Sequence, residues 1–432
     1  MVRRLSLALL VLFVAALCLP TFAIDKRTTG NADWPQWRGP LRDNISPDTG
    51  LLQAWPEEGP PLAWKATGIG RGFSGVAVVG DRIYTMGDLD GSQYVICLNA
   101  ADGKHVWAER IGNEWEPKGY AGPRCTPTVD GNFVYAVGAH GDIACFNAKT
   151  GKPVWHRSFP DDFRGRMHSG WGFSESPLVD GNLVICTPGG REAMLAALNK
   201  KTGEEVWRTS VPELGDRGGD GAAYSSIVIS NACGVKQYVQ LVGRGLIGVD
   251  AKTGKFLWGY NRVANGTANI PTPLVQGDYV FGSTGYGTGA CLLKIEKTGS
   301  GLEAKEQYFL EHKDFQNHHG GMIMLGDHIY AGHGHNAGAP TCLDWKTGKT
   351  VWRENRGPGQ GSAAVGYADG NLYFRYQNGT VALIGATTDG YELKGKFDLP
   401  DVQQPSWPQP VIIGGKLYLR EQDALYCYNV AK

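Results

Sequence analysis

The chain is 432 residues long and carries 42 basic against 42 acidic side chains. A formal charge of zero leaves no electrostatic field with which to hold nucleic acid or an anionic membrane nonspecifically. Charged residues make up only 19% while glycine fills 62 positions, a balance that suits sheets joined by tight turns and excludes a fold of long solvated helices.

The first 23 residues read as a targeting segment: Arg3-Arg4, the apolar run Leu5 to Leu19, and a small-residue cleavage site at Pro20-Thr21-Phe22-Ala23. Cys18 follows the bulky Leu17, which argues for soluble export to the periplasm or beyond rather than lipid attachment. No later stretch holds the roughly 18 consecutive apolar residues of a membrane span. Residues 24–60, with Trp34-Pro35-Gln36-Trp37-Arg38-Gly39-Pro40 and Trp55-Pro56, lack strand periodicity and are expected to form an extended arm packed on the body formed by residues 61–432.

That body is a repeat. A short apolar strand, a turn ending in Gly, three residues and a Trp recur, giving Trp107, Trp155, Trp207, Trp258 and Trp352. Their spacings are 48, 52, 51 and 94 residues, and 94 is twice 47, so a degenerate copy is expected between the last two, at Lys297-Thr298-Gly299. A strand-built repeat of this length means a propeller, because one small sheet cannot bury both faces alone. Seven first-hairpin turns, such as Asp130-Gly131-Asn132 and Asp180-Gly181-Asn182, plus a weaker one at Asn231 to Gly234, predict eight four-stranded antiparallel blades, with seven as the alternative count. The chain stops on an apparent third strand at 425–430 and opens on an unaccompanied one at Pro61 to Lys65. The N-terminal strand is therefore expected to close the last blade, which would remove the exposed edges of an open array.

Export licenses disulfides, yet Cys97, Cys145, Cys342 and Cys427 fall at equivalent positions of different blades, too far apart to bridge. They read as small core residues, in the slot that Ala197 fills in another blade.

With its Asp/Asn-x-x-Thr-Gly-x-x-x-Trp run, the repeat resembles the pyrroloquinoline quinone (PQQ) repeat family of eight-bladed propellers from about Pro61 to the end. That family includes quinoprotein alcohol dehydrogenases and the non-enzymatic lipoprotein of the outer-membrane β-barrel assembly machinery. The resemblance implies that the five tryptophans dock blade on blade, and it identifies a fold more than a chemistry.

A site is expected on the face opposite the short turns, where the loops are longer. Its candidate ligand-binding residues are Arg71, Arg124, His168, Trp171, Glu175 and Tyr224, expected to converge with the histidines on a polar pocket at the channel mouth that suits an anionic or hydroxyl-rich ligand. His318, His319, His333 and His335 crowd one blade and are candidate ligands for a transition metal, or rings that bond loop backbone. Neighbouring His318 and His319 are expected to point apart, as in extended chain. The family's dehydrogenases imply PQQ with calcium, but the chain lacks their adjacent cysteines and any Cys-x-x-Cys-His; Glu175 and Asn269 are the positions where a calcium ligand could stand. The Gly-rich run 282–289 lacks the lysine and helix of a phosphate loop, and no nucleophile elbow stands in a strand-to-helix setting. The cluster Arg420-Glu421-Gln422-Asp423 reads as salt-bridged loop. The resulting expectation is an exported, monomeric binding or scaffold protein that meets a small molecule, glycan or envelope protein through its loop face. The alternative is a PQQ- or metal-dependent oxidoreductase. The two readings part on an absorbance spectrum and a metal analysis.

Overall fold

The computed structural model describes residues 33–116 and 119–432; the targeting segment and Cys18 lie outside them. Eight four-stranded antiparallel sheets form the eight expected blades. Helix among the described residues is confined to one turn at Phe159–Phe163 and a 3-10 turn at Ala232–Gly234, and no described helix is long and apolar enough to cross a membrane. In sequence order, blade 1 comprises Ala77–Val79, Arg82–Leu89, Ser92–Asn99 and His105–Asn113, and each later blade repeats this meander. Blade 8 is completed by Leu62–Ala66, which pairs antiparallel with Ala424–Asn429 and sets Trp64 opposite Cys427. The first and last segments of the ring thus share one sheet.

The repeat has a physical cause in one contact. In blades 1, 2, 6 and 8 a row across the sheet reads Tyr, Cys, Trp: Tyr84-Cys97-Trp107, Tyr135-Cys145-Trp155, Tyr330-Cys342-Trp352 and Tyr418-Cys427-Trp64. The small thiol leaves room for the two rings, whose centroids lie 5.9 to 6.2 Å apart. All eight described cysteines are free thiols. The indole then lies flat on the turn glycine of the next blade. Trp64 covers Gly103, Trp107 covers Gly151, Trp155 covers Gly203 and Trp207 covers Gly254; a methyl group on any of these glycines would come within 2.5 to 2.9 Å of the ring. All four adopt φ between +70° and +75°, so the turn and the close approach both demand glycine. Trp107 and Trp155 also donate from Nε1 to the carbonyls of Ala148 and Lys200 in the following blade, each at 3.0 Å.

Blades 4 to 7 depart from this rule; in blade 6, Trp352 donates to Thr387 O and meets Tyr391 of blade 7 instead of a turn glycine. In blade 5 the third and fourth strands, Gly289–Thr298 and Gly301–Glu311, form a long hairpin whose tip carries Thr298 and Gly299, and a methyl group added at Gly299 would meet no ring. The degenerate copy is therefore present as a blade, but its docking ring is Tyr308, which covers Gly348 of blade 6 and donates to Trp345 O. Trp258 accordingly packs on the apolar face of this hairpin, with Leu293 and Ile295, instead of on a turn glycine of the next blade. In blade 7 the register position of the tryptophan is Gly395, opposite Leu383, itself opposite Tyr373. Trp55 of the arm fills the gap. Its backbone lies against Gly395, its N–H donates to Lys394 O at 2.9 Å, and its ring meets Tyr373 and Phe397 edge-on, each at 5.6 Å.

Arg420-Glu421-Gln422-Asp423, expected to be loop ion pairs of little weight, instead stitches blade 8 to its neighbours. Buried Arg420 donates to the carbonyls of Ile69 and Gly70 and to Thr85 Oγ1, all of blade 1 and its entry. Glu421 accepts from Arg375 of blade 7, and Asp423 accepts from the N–H groups of Gly68 and Gly70. The strand-end position of these residues puts them at the closing seam, where burial turns them into structural bonds.

The arm does more than pack on the ring. Between Trp34 and Ser46 it dips into the central channel from the turn face and bonds every blade. Trp34 exchanges backbone bonds with Val78, and Pro35 accepts from Val129 N. Arg42 donates to the carbonyls of Ser176, Pro177 and Ile227. Trp37 reaches Thr272, Arg38 reaches Met322 O, and Asn44 bonds Val365 O and Gln409. It then leaves past Tyr367 and Gly415 to deliver Trp55 and the closing strand.

Removing the indole of Trp55 should therefore cost as much as removing one that belongs to a blade. Trp55→Ala is expected to lower the urea unfolding free energy by about 3–5 kcal/mol, matching Trp107→Ala. A loss under about 1 kcal/mol would show that Trp55 does not complete the blade 7–8 junction.

Candidate functional site

The loops leading into each first strand, together with the second-to-third strand loops, open on the face opposite the turns, and the arm closes the channel beneath them. The result is a blind cup of about 360 Å³ on the axis. Trp37 and Arg38 of the arm line its floor; Phe73, Tyr120, Trp171, Tyr224, Tyr286 and Trp407 give it aromatic walls. Arg124, Ser174, Ser226, Thr272, His318, His319, His335, Asn336, Gln377 and Gln409 add polar groups.

Six of the ten sequence-derived candidates meet here: Arg124, Trp171, Tyr224, His318, His319 and His335. The other four stand elsewhere. Arg71 turns outward to ion-pair with Glu114 and Glu116. His168 lies behind Tyr224, rings 5.7 Å apart. Glu175 is buried beneath the cup, accepting from Thr187 N at 2.6 Å and Thr187 Oγ1 at 2.8 Å. His333 packs on Phe315 and accepts from Gln316 N.

His318 and His319 do not point apart. A bend at His319-Gly320 brings their rings into a stack at 3.7 Å and 22°, with His335 4.1 Å from His318 and Tyr286 edge-on to it. His319 in turn meets Trp407 at 4.2 Å. Two charged imidazoles this close would repel each other. Burial and mutual repulsion push His318 down to about 3 and His319 well below its usual value, with Arg124 adding to the latter. The cup therefore carries neutral imidazoles at neutral pH, while burial lowers Arg38 and Arg124 only to about 10 and leaves both charged. Among the described residues no carboxylate lines it.

The oxygens that calcium beside PQQ would need are committed to the fold. Asn269 donates to the carbonyls of Val242 and Gly243 and accepts from Asn265 N. Glu175 accepts two bonds from Thr187, and burial pushes its carboxyl up to about 8 against the opposing pull of those bonds and of Arg42. Two guanidinium groups in place of a carboxylate set make the cup a poor seat for a cation. No group of three or more His, Cys, Asp or Glu side chains able to hold a metal occurs among the described residues. The residues present do not fit PQQ held by calcium.

Trp37, Arg38, Phe73, Tyr120 and Trp407 were not among the sequence candidates. Trp407 sits before a first strand, as Trp171 and Tyr224 do, and the repeat register alone would have placed it. Nothing local marks Trp37 and Arg38, which reach the cup only because the arm enters the channel.

The family described as Outer membrane protein assembly factor BamB, built of PQQ-type repeats, matches residues 91–354, and the chain belongs to it. Among curated proteins it is 30% identical over 117 residues to the quinoprotein alcohol dehydrogenase PedH of Pseudomonas putida, covering 27% of this chain and 18% of that protein. It is 29% identical over 113 residues to the outer membrane protein assembly factor BamB of Xanthomonas campestris pv. campestris, covering 25% of each. The chain thus matches a quarter or less of the length of these relatives. Among solved structures, the quinohemoprotein alcohol dehydrogenase ADHIIG of Pseudomonas putida HK5 superposes with a TM-score of 0.62 at 14% identity, over 93% of this chain and 80% of that one. That likeness shows the shared fold.

Glu175 offers a pH test of the buried wall. Its folded pKa stands above the ordinary value, so the stability it contributes is complete below about pH 4.5 and is lost as pH rises through about 8. Measured against Glu175→Gln by chemical unfolding from pH 4 to 9, the wild type should lose about 1.4 kcal/mol for each pH step of one between those limits and level off above pH 8. A difference that stays flat across this range would mean an ordinary, ionised carboxylate.

Proposed function

We propose that this member of the PQQ-repeat propeller family is an exported envelope protein that acts by binding, as a monomer, and that the cup-bearing loop face recognises its small-molecule, glycan or protein partner. The observation that carries this reading is the cup itself: a blind pocket collecting aromatic and cationic side chains from the loops of the ring and floored by the chain's own arm, with its buried oxygen ligands turned inward. Concave, largely aromatic pockets with a few convergent polar groups are what recognition sites look like. Export is supported by the targeting segment at residues 1–23, and an envelope role by the family's description. A PQQ-dependent oxidoreductase, the other reading drawn from the dehydrogenase relatives, is less well supported because Glu175 and Asn269 are unavailable to a metal.

Replacing Tyr120, at the cup rim, with benzoylphenylalanine and irradiating cells should cross-link the protein to an envelope component, whereas the same replacement at Val206, on the outer edge of blade 3 and 54% exposed, should not. Cross-links from Val206 alone, or alcohol-dependent dye reduction by the purified chain on adding PQQ and calcium, would contradict the proposal.

A further inference from the structure

Arg38 is the most costly side chain in the cup. It is 2% exposed, sits at φ +59° and donates from Nη2 to the carbonyls of Asp43 and Met322. Its Nε and Nη1 have no partner. Charged donors left dry in this way are expensive, and native folds rarely keep them without a use. Gly321 lies against the guanidinium, where even a methyl would only touch it at 3.6 Å, and both residues line the cup, so the smallest side chain separates the buried group from the cup space. His318, 5% exposed and also lining the cup, likewise holds a buried Nε2 without a partner.

Building on the loop-face reading above, we propose that the cup binds a carboxylate-headed ligand with an apolar flank, the carboxylate entering first to meet Arg38 at the floor and the flank lying against Trp171, Tyr224 and Trp407. Charge selects the headgroup. Arg38 and Arg124 supply two positive charges to a cup that no described carboxylate lines, and the planar guanidinium fork matches a planar carboxylate. The aromatic walls provide the faces on which a flat or apolar body packs. One carboxylate chemistry has two sources, a free small acid or the C-terminal end of a peptide chain, and a cup open only toward the loop face admits either end-on.

Calorimetric titration of the full chain with N-acetylphenylalanine, its neutral amide and phenylacetate tests this. N-acetylphenylalanine is expected to bind on the order of tenfold or more tighter than the amide, an advantage that Arg38→Gln abolishes and Arg38→Lys partly keeps. Phenylacetate as tight as N-acetylphenylalanine would assign the site to free acids; a tenfold preference for N-acetylphenylalanine would assign it to chain ends. Should Arg38→Gln fail to fold for want of its bonds to Met322 and Asp43, the acid-to-amide ratio of wild type and its reduction in Arg124→Gln decide. Equal binding of acid and amide, no binding of either, or an acid preference that survives folded Arg38→Gln would overturn the proposal. Loop-face cross-linking that persists in any of those cases would leave the broader binding role standing and remove only the carboxylate.

Discussion

A flat aromatic ring lying on a glycine of the next blade is the contact on which this molecule is built. A four-stranded sheet is apolar on both faces and unstable alone, so each blade survives only by covering its neighbour. The indole buries on the order of 200 Å² in doing so, and only glycine in the left-handed turn lets it come close enough. The interval between tryptophans, the Thr-Gly turn and the small cysteine between Tyr and Trp are consequences of that one contact. Where the contact changes, so does the blade: Tyr308 replaces the indole after a lengthened hairpin, and Trp55 arrives from outside the repeat.

The same N-terminal arm that supplies Trp55 also converts a ring into a cup. A propeller channel is open at both ends unless something fills one of them. Here Trp34 to Ser46 bonds the innermost strand, or the residues entering it, of all eight blades, and its guanidinium groups bond carbonyls that the short inner strands leave unpaired. Closure is therefore doubled, once at the rim through the Trp64 strand and once on the axis. The buried Arg375-Glu421 pair and Arg420 lie at the seam where chain ends meet, where a ring held only by apolar contacts would have least support.

Periodic features were legible in the sequence because they are local and repeated. Blade count, the closing role of Leu62–Ala66 and the face carrying the loops all follow from turn chemistry and spacing. Features that depend on one long-range meeting were not. Nothing in Trp34 to Trp55 distinguishes an arm lying on a ring from one threaded through it, and Gly395 is an ordinary strand residue until Trp55 is beside it. His318 and His319 were misjudged because extended-chain alternation fails at a bend, and Arg420 because a charged residue near a strand end is usually solvated. Of the candidate site, the residues on entry loops were placed by register, whereas Arg71 and Glu175 share that register but are drawn away by Glu114 and Thr187.

Recognition by the cup rests on the arm being its floor, since without it the channel would lose Trp37 and Arg38 and offer no closed end to a ligand. Native-state hydrogen exchange on the full chain tests this most directly. The account predicts that the amides of Trp34 and Ser46, and those of Val78, Val129 and Tyr367 that donate to the arm, exchange as slowly as the second strands Arg82–Leu89 and Phe133–Val137, which are bonded within their blades. Exchange of the arm at unprotected rates while those strands stay protected would contradict it.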